Sequence, residues 1–178
     1  MVRRKFVSVE MTDPEYFKYI GGNTPCSREK ARFICYNFIK DEIFNQAIEV
    51  LKSESIVFIV AYNTKIQKWL DNKFKKEGIN CLSRTRSVPN NFSSIGNEYQ
   101  VVITTSLHLT GYNLPRCKTM ITSVYPICRE MITQMEWRIR RLSDDVDIII
   151  LETGILSNMK YNCEDDKLKK FDQIFKNI

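Results

Sequence analysis

The sequence has 178 residues, which is enough for one domain with a buried core and too few for two domains of ordinary size. Hydrophobic residues make up 43% and charged residues 27%, a globular balance that argues against a disordered chain. The 27 lysines and arginines exceed the 21 aspartates and glutamates by six, so a polyanionic partner is permitted but not required. No apolar run follows the N-terminal residues, and no stretch reaches membrane-spanning length, so we expect a soluble, intracellular protein without membrane contact.

The cysteines and the single histidine bear on metal binding and on the redox compartment. Six cysteines occur at positions 26, 35, 81, 117, 128 and 163, no two of them in a C-x-x-C pair. With His108 as the one histidine, this spacing argues against a zinc site, and we expect no bound metal. Several cysteines lie in apolar stretches, which is typical of reduced thiols in a reducing compartment.

The first fifty residues are expected to form a lead-in to the main domain. Val7–Met11 is typical of a short strand. Apolar residues then recur at helical spacing, which predicts one long helix or two shorter ones over about Arg28–Lys52. We therefore divide the chain into a strand-and-helix lead-in at residues 1–52, packed on a domain at residues 53–178.

Strands alternate with helices through the rest of the chain. The β-branched run Ser55–Tyr62 predicts a strand buried on both faces, followed by an Asn63 cap and an amphipathic helix that ends at Gly78. Further strands are predicted at Ile79–Leu82, Val101–Thr104, Lys118–Val124 and Val146–Leu151, and helices at Arg129–Leu142 and Glu164–Lys176. This order predicts an α/β fold with a mainly parallel sheet, helices on both faces and ligands at the carboxyl ends of the strands.

A self-sufficient nucleotide site is not encoded. The phosphate-binding loop G-x-x-x-x-G-K-[ST] and the dinucleotide pattern G-x-G-x-x-G are both missing from the sequence. A serine-hydrolase triad also fails, because no G-x-S-x-G elbow accompanies His108. Carboxylates cluster at 144–147 and at 164–166, and both clusters are more typical of solvated turns or helix starts than of acid–base pairs.

The informative segment runs from residue 101 to residue 142. Its first part is a strand that ends in hydroxyl residues, followed by a loop with the sequence Gly111-Tyr-Asn113-Leu. Its second part places Gln134, Arg138 and Arg141 at i, i+4 and i+7, on one face of a helix. Two guanidinium groups one turn apart offer planar, permanently charged donors to a phosphate array.

These two parts resemble motifs five and six of superfamily-two helicases, and their flanks look most like Swi/Snf-type ATPases and their relatives in large DNA viruses. The first part carries the residues that match motif five, Thr104, Thr105, Ser106, Gly111 and Asn113. The second part matches the Q-x-x-G-R-x-x-R pattern of motif six through Gln134, Arg138 and Arg141. The strand Ile56–Tyr62 resembles motif four. The resemblance covers most of the chain, and about forty residues carry its specific part.

The resemblance implies a RecA-like C-terminal helicase lobe. In that family ATP lies between two lobes, and this lobe supplies arginine fingers, here Arg138 and Arg141, with Gln134 and Gly111 at the nucleotide. Thr104, Thr105, Ser106 and Asn113 lie where the family contacts the backbone of DNA or RNA without reading sequence. ATP and magnesium would bind only through a Walker-motif lobe in another chain or in a segment missing from this one. The viral relatives leave open a location in a virion or an infected cell.

Two departures from the family pattern keep alternatives open. Trp137 stands where the family has glycine, and residues 83–98 are shorter than the usual helix-bearing connection. Both favour a degenerate, non-enzymatic lobe that serves as a nucleic-acid-binding or assembly module. A solvated basic helix face would explain the arginines alone. An unrelated doubly wound domain that binds a small phosphorylated ligand is a third reading, which the lack of a glycine-rich strand–helix turn disfavours.

Overall fold

Six strands and two helices make up the part of the chain that the structure describes. The computed structural model describes residues 1–9, 28–53, 56–83, 98–105, 117–122, 136, 139 and 145–152, by backbone alone at 28–35 and 152. In chain order the elements are β1 (Val2–Ser8), α1 (Arg28–Ser53), β2 (Val57–Ala61), α2 (Thr64–Lys76), β3 (Cys81–Ser83), β4 (Val101–Thr105), β5 (Thr119–Thr122) and β6 (Val146–Glu152).

The strands form one sheet in the order β1-β6-β5-β2-β4-β3, and all five neighbouring pairs are parallel. β2 lies near the centre, where Ile59 is opposite Ile103 of β4 and Ile121 of β5. Every described side chain of β2, β4 and β5 is buried, as expected for parallel strands covered on both faces. The α/β fold with a parallel sheet is therefore confirmed.

The two sheet faces bury separate apolar clusters, because successive strand residues point to opposite faces. The first cluster joins α1 and α2 to the sheet and includes Ile43, Leu70, Phe74, Ile59 and Ile103. The second cluster lies on the other face and contains Phe58, Val102, Met120, Ile148 and Ile139. Ile139 has helical backbone and a fully buried side chain, so helical structure also covers the second face.

Helix α2 has the boundaries that its sequence predicts. The Asn63 side chain accepts a hydrogen bond from the Ile66 backbone N–H at 3.0 Å, a cap that contributes about 1 kcal/mol in typical proteins. At the other end Gly78 has a φ of +73°, in the left-handed region that glycine adopts most readily. The Ile79 N–H then donates to the Phe74 carbonyl at 3.0 Å and closes the helix.

The N-terminal strand begins earlier than predicted. The strand expected at Val7–Met11 overlaps the observed strand, Val2–Ser8, at two residues, and residues 10 and 11 lie outside the described ranges. The observed strand pairs with β6 along its whole length at the sheet edge. Charged side chains at positions 3 to 5 hide this strand from pattern analysis, whereas the structure satisfies two of them with ion pairs: Arg3 with Asp147 and Arg4 with Glu136. Helix α1 is a single helix over Arg28–Ser53, in agreement with one of the two predicted forms.

Some expectations concern residues beyond the described ranges. The terminal helix at Glu164–Lys176 is one of them, and the predicted helix at Arg129–Leu142 is described only at Glu136 and Ile139, which are both helical. The division at residues 52 and 53 stays a prediction. Within the described ranges, no helix is long and apolar enough to cross a membrane.

Candidate functional site at the carboxyl edge of the sheet

Buried polar side chains gather at the carboxyl edge of the sheet. In a parallel sheet all strands end at the same edge, and the register places Thr105 opposite Ala61, and both Thr104 and Thr122 opposite Val60. Thr104, Thr105 and Thr122 are each at most 2% exposed. This edge is where ligands bind in open parallel sheets, so it is the candidate site.

Thr104 and Thr105 point to opposite faces of the sheet. Thr105 shares the face of Val101 and Ile103, which pack in the cluster under α1 and α2, and Thr104 shares the face of Val102. The Thr104 hydroxyl donates to the Thr105 carbonyl at 3.4 Å. Thr105 Oγ1 is buried and has no hydrogen-bond partner among the described atoms. Since both hydroxyls are covered, their predicted contact with a nucleic-acid backbone stays a prediction.

Gln67 is a polar residue at this edge that sequence reasoning missed. It lies in the first turns of α2, is 1% exposed, and its Nε2 donates to the Ile103 carbonyl at 3.2 Å. This bond ties α2 to β4 one residue before Thr104. The signal was available, because a glutamine beside Ile66 on the sheet-facing side of an amphipathic helix requires a polar partner.

An aromatic pair and a cation–π group lie between α1 and α2. The Tyr36 and Tyr62 rings stack with centroids 3.8 Å apart, and Tyr62 directly follows the carboxyl end of β2. Farther along the helices, Lys73 Nζ lies 4.6 Å from the Trp69 ring centroid and 3.0 Å from Asp41 Oδ1. The tyrosine pair therefore joins α1 to the end of β2 beside the candidate edge, and Lys73 joins α2 to α1 farther from that edge.

The arginine-bearing segment is described at two residues only. Ile139 is fully buried in the second cluster. Glu136 is 9% exposed and receives two hydrogen bonds on its Oε1 from Arg4, one of them from Nε at 3.1 Å. No local sequence signal links two residues 132 positions apart. Gln134, Arg138, Arg141, Gly111, Asn113 and Ser106 lie outside the described residues.

A polar pocket of about 350 Å³ lies at the opposite, amino edge of the sheet. The end of α1 and the starts of β1, β5 and β6 form its walls, with Gln46, Glu49 and Thr119 among the lining residues. Arg3 and Asp147, which also line it, pair with each other at 2.5 Å. Charges of both signs line this pocket, with Arg3, Arg4 and Lys5 against Glu49 and Asp147.

The two described cysteine thiols are buried in the fold. They belong to Cys81 and Cys117. Burial raises the pKa of the Cys81 thiol to about 12, and the nearby Asp71 carboxylate adds to the shift. Asp71 in turn accepts a hydrogen bond from Lys75 at 2.6 Å, which raises the pKa of that lysine. In the described ranges, no three His, Cys, Asp or Glu residues group closely enough to hold a metal ion.

No protein-family model and no curated protein sequence matches this chain. Solved structures do match. The chain is similar to the C-terminal part of the Fun30 ATPase domain (TM-score 0.54, 14% identity, 80% of this chain and 55% of that chain). It is similar to the E. coli DEAD-box protein SrmB, solved with regulator of ribonuclease activity A (TM-score 0.59, 12% identity, 74% of this chain and 79% of that one).

A third similar structure is the RNA helicase Prp28 from Chaetomium thermophilum bound to ADP, with a TM-score of 0.64 and 11% identity over 91% of this chain and 35% of that one. The chain thus spans about half of the Fun30 structure and about a third of Prp28. At such low identity the likeness concerns the fold alone. With its six parallel strands and covering helices, this chain shares the RecA-like α/β fold of these three structures.

Proposed function

We propose that this chain acts as the C-terminal lobe of an ATP-dependent nucleic-acid helicase or translocase. One observation carries the proposal: the fold and the motif-like segments, which are independent of each other, agree. In the sequence, the G-x-N-L segment follows Thr105, the last residue of β4, and the arginine segment includes two buried helical residues, Glu136 and Ile139, that contact the same sheet. The finer likeness to Swi/Snf-type ATPases and their viral relatives rests on those segments and belongs to this proposal.

The chemistry proposed for the lobe is electrostatic. Arg138 and Arg141 meet the charge that develops on the transferred phosphoryl group, and Gln134 and Gly111 contribute contacts to the nucleotide. A first lobe with Walker motifs holds ATP and magnesium. Ser106 and Asn113, in the loop that leaves the candidate edge, contact the nucleic-acid backbone, and Thr104 and Thr105 support the start of that loop from within the sheet. The buried cysteine thiols support a reducing compartment.

The second candidate is a degenerate lobe that binds nucleic acid or assembles with a partner without supporting hydrolysis. The burial of both Thr104 and Thr105 favours it, together with Trp137 at the glycine position. The two candidates differ in whether any first lobe gains ATPase activity from this chain.

The decisive experiment is reconstitution with a first lobe, found by reading the coding region next to this one or by co-purification. The isolated chain should show no ATPase above background, because it has no phosphate-binding loop. In the reconstituted pair, Arg141→Ala should lower kcat by about three orders of magnitude and leave ATP binding largely intact, because a finger acts on transition-state charge.

Arg140→Ala is the matched control for that substitution. Arg140 lies off the Gln134, Arg138 and Arg141 face of a helix, so its loss should have little effect on kcat. Equal effects of Arg141→Ala and Arg140→Ala would mean that these arginines form only a solvated basic face of the helix. Robust turnover by the isolated chain, lost on changing one of its own residues, would contradict the division of labour between lobes. Binding without any gain of ATPase would select the degenerate module.

A further inference from the structure

An ion pair between Arg4 and Glu136 links β1 to the arginine-bearing segment. The two side chains are only 14% and 12% exposed, and both Nε and Nη2 of Arg4 donate to the same carboxylate oxygen. Arg4 lies on β1 at the register of Ile148, whose side chain belongs to the second apolar cluster. The pair therefore lies on the sheet face that also buries Ile139.

Glu136 and Ile139 define the inward side of the segment. They are three residues apart, so they share one helix face, and both are buried. In the helix predicted over Arg129–Leu142, an advance of about 100° per residue puts Gln134, Arg138 and Arg141 roughly half a turn away from that face. An inward contact at Glu136 thus determines the direction in which the opposite face points.

We propose that the Arg4–Glu136 pair is a positioning device: it fixes the rotation of the arginine-bearing segment on the sheet, so that Arg138 and Arg141 are presented outward to a partner lobe. The inference rests on the proposed function and deepens it. Ile139 supplies apolar packing, which tolerates small rotations and shifts of the helix. The two N–H groups of Arg4 donate to the Glu136 carboxylate only over a narrow range of directions, so this pair restricts the orientation of the segment where apolar contact does not.

The neighbouring pair provides a matched control. Arg3 and Asp147 also join β1 to a distant residue, with bonds of 2.5 and 2.9 Å, but Asp147 is on β6 and the pair is 61% and 34% exposed. It links two strands that already share a full hydrogen-bond register, so its loss should leave the arginine segment unaffected.

The test compares two apolar double variants of the full chain, Arg4→Met with Glu136→Met and Arg3→Met with Asp147→Met. Replacing both members of the buried Arg4–Glu136 pair by apolar residues of similar size generally preserves stability, and the exposed Arg3–Asp147 pair contributes little to it, so each denaturation midpoint should stay near that of the wild type. In the first variant, amide exchange across residues 131–142 should accelerate about tenfold, because the local opening constant rises by the same factor, and the control variant should exchange as the wild type does.

Activity of the reconstituted pair separates positioning from a purely structural role. The first double variant should lower kcat about tenfold with KM for ATP unchanged, because the fingers act only in the transition state. The charge-swapped variant, Arg4→Glu with Glu136→Arg, should restore part of the amide protection at 131–142 and part of kcat. If the first double variant unfolds, the charge-swapped variant decides the question: restored stability without restored amide protection at 131–142 would overturn the inference.

Wild-type exchange at 131–142 in a folded first double variant would also overturn it, as would accelerated exchange with an unchanged kcat. Failure of the proposed function has a different signature. In that case Arg141→Ala would leave the reconstituted pair unaffected, while the Arg4 and Glu136 substitutions would still change exchange in the segment.

Discussion

At the scale of single residues, Thr105 offers a direct test of what the carboxyl edge is built for. Its hydroxyl is buried without a hydrogen-bond partner among the described atoms, an arrangement that costs about 1–3 kcal/mol. Thr105→Val replaces the hydroxyl by a methyl of similar shape and keeps the β-branched form that suits a strand. We expect the free energy of unfolding, measured by urea denaturation, to stay constant or rise by about 1 kcal/mol.

Thr104→Val is the control, because Thr104 makes a hydrogen bond and should lose a small amount of stability. A larger loss at Thr105 than at Thr104 would contradict the account of the orphan hydroxyl. The same variants can be compared in nucleic-acid affinity. If Thr105→Val weakens binding while its stability is unchanged, the Thr105 hydroxyl contacts the nucleic-acid backbone. If binding is unchanged, the role of the hydroxyl is confined to the sheet.

The Cys81 thiol should make stability depend on alkaline pH. Its pKa is raised from 9.0 to about 12 in the folded state, first by burial and then by the charge of Asp71. Below pH 9.0 both states keep the proton; between 9.0 and about 12 the unfolded thiol loses it while the folded thiol keeps it. The free energy of unfolding should therefore fall as pH rises through this window.

Cys81→Ala removes this contribution, so its guanidinium midpoint should fall less between about pH 8 and about pH 10 than the wild-type midpoint does. The substitution also removes a buried sulfur, which lowers stability at every pH. Only the difference between the two proteins in the slope of midpoint against pH bears on the titration. Parallel plots of midpoint against pH would show that folding does not raise the pKa of the thiol.

At the scale of elements, sequence patterns succeeded where packing alone determines the structure. β2, β4 and β5 are runs of apolar and β-branched residues that need only burial on both faces, and α2 carries its own end signals at Asn63 and Gly78. The start of β1 was not predicted, because ion pairs with residues more than 130 positions away satisfy the charges of Arg3 and Arg4. Such a strand has no local pattern to detect.

The same reasoning predicts that residues 53–178 do not fold alone. Removing 1–52 strips β1 from β6 and removes α1, whose Ile39, Ile43 and Ala47 are fully buried against the sheet. An exposed edge and an uncovered apolar face favour aggregation. Circular dichroism and denaturation of the truncated chain should show no cooperative transition, whereas residues 1–178 should show one. A cooperative, soluble 53–178 fragment would support the lead-in as a separable unit.

At the scale of the whole molecule, the candidate site was predictable in place but not in detail. A parallel sheet dictates that Thr104 and Thr105 lie at the carboxyl edge, and the structure places them there. Their burial, the Gln67 bond to β4 and the Arg4–Glu136 pair depend on which elements pack together in three dimensions. One sequence contains no record of those long-range contacts.

If the carboxyl edge is the nucleic-acid interface, binding should be weak, indifferent to sequence and dependent on salt. A net charge of +6 spread among both signs supplies few phosphate contacts, so we expect dissociation constants no tighter than about 10⁻⁶ M at physiological salt. Helix α2 then localises the contact. It begins beside the carboxyl edge, so exposed Lys68 lies near that edge and exposed Lys76 lies about 12 Å farther along the helix.

Lys68→Gln should weaken binding and reduce the slope of log affinity against log salt by about one, because one fewer counterion is released, while Lys76→Gln should change neither. Fluorescence anisotropy with a labelled oligonucleotide, titrated at several salt concentrations, measures both quantities. Equal effects of the two lysines would mean that the polyanion binds diffusely around the molecule. Tight, salt-insensitive binding to one sequence would point to base recognition, which a lobe that grips only the backbone does not provide.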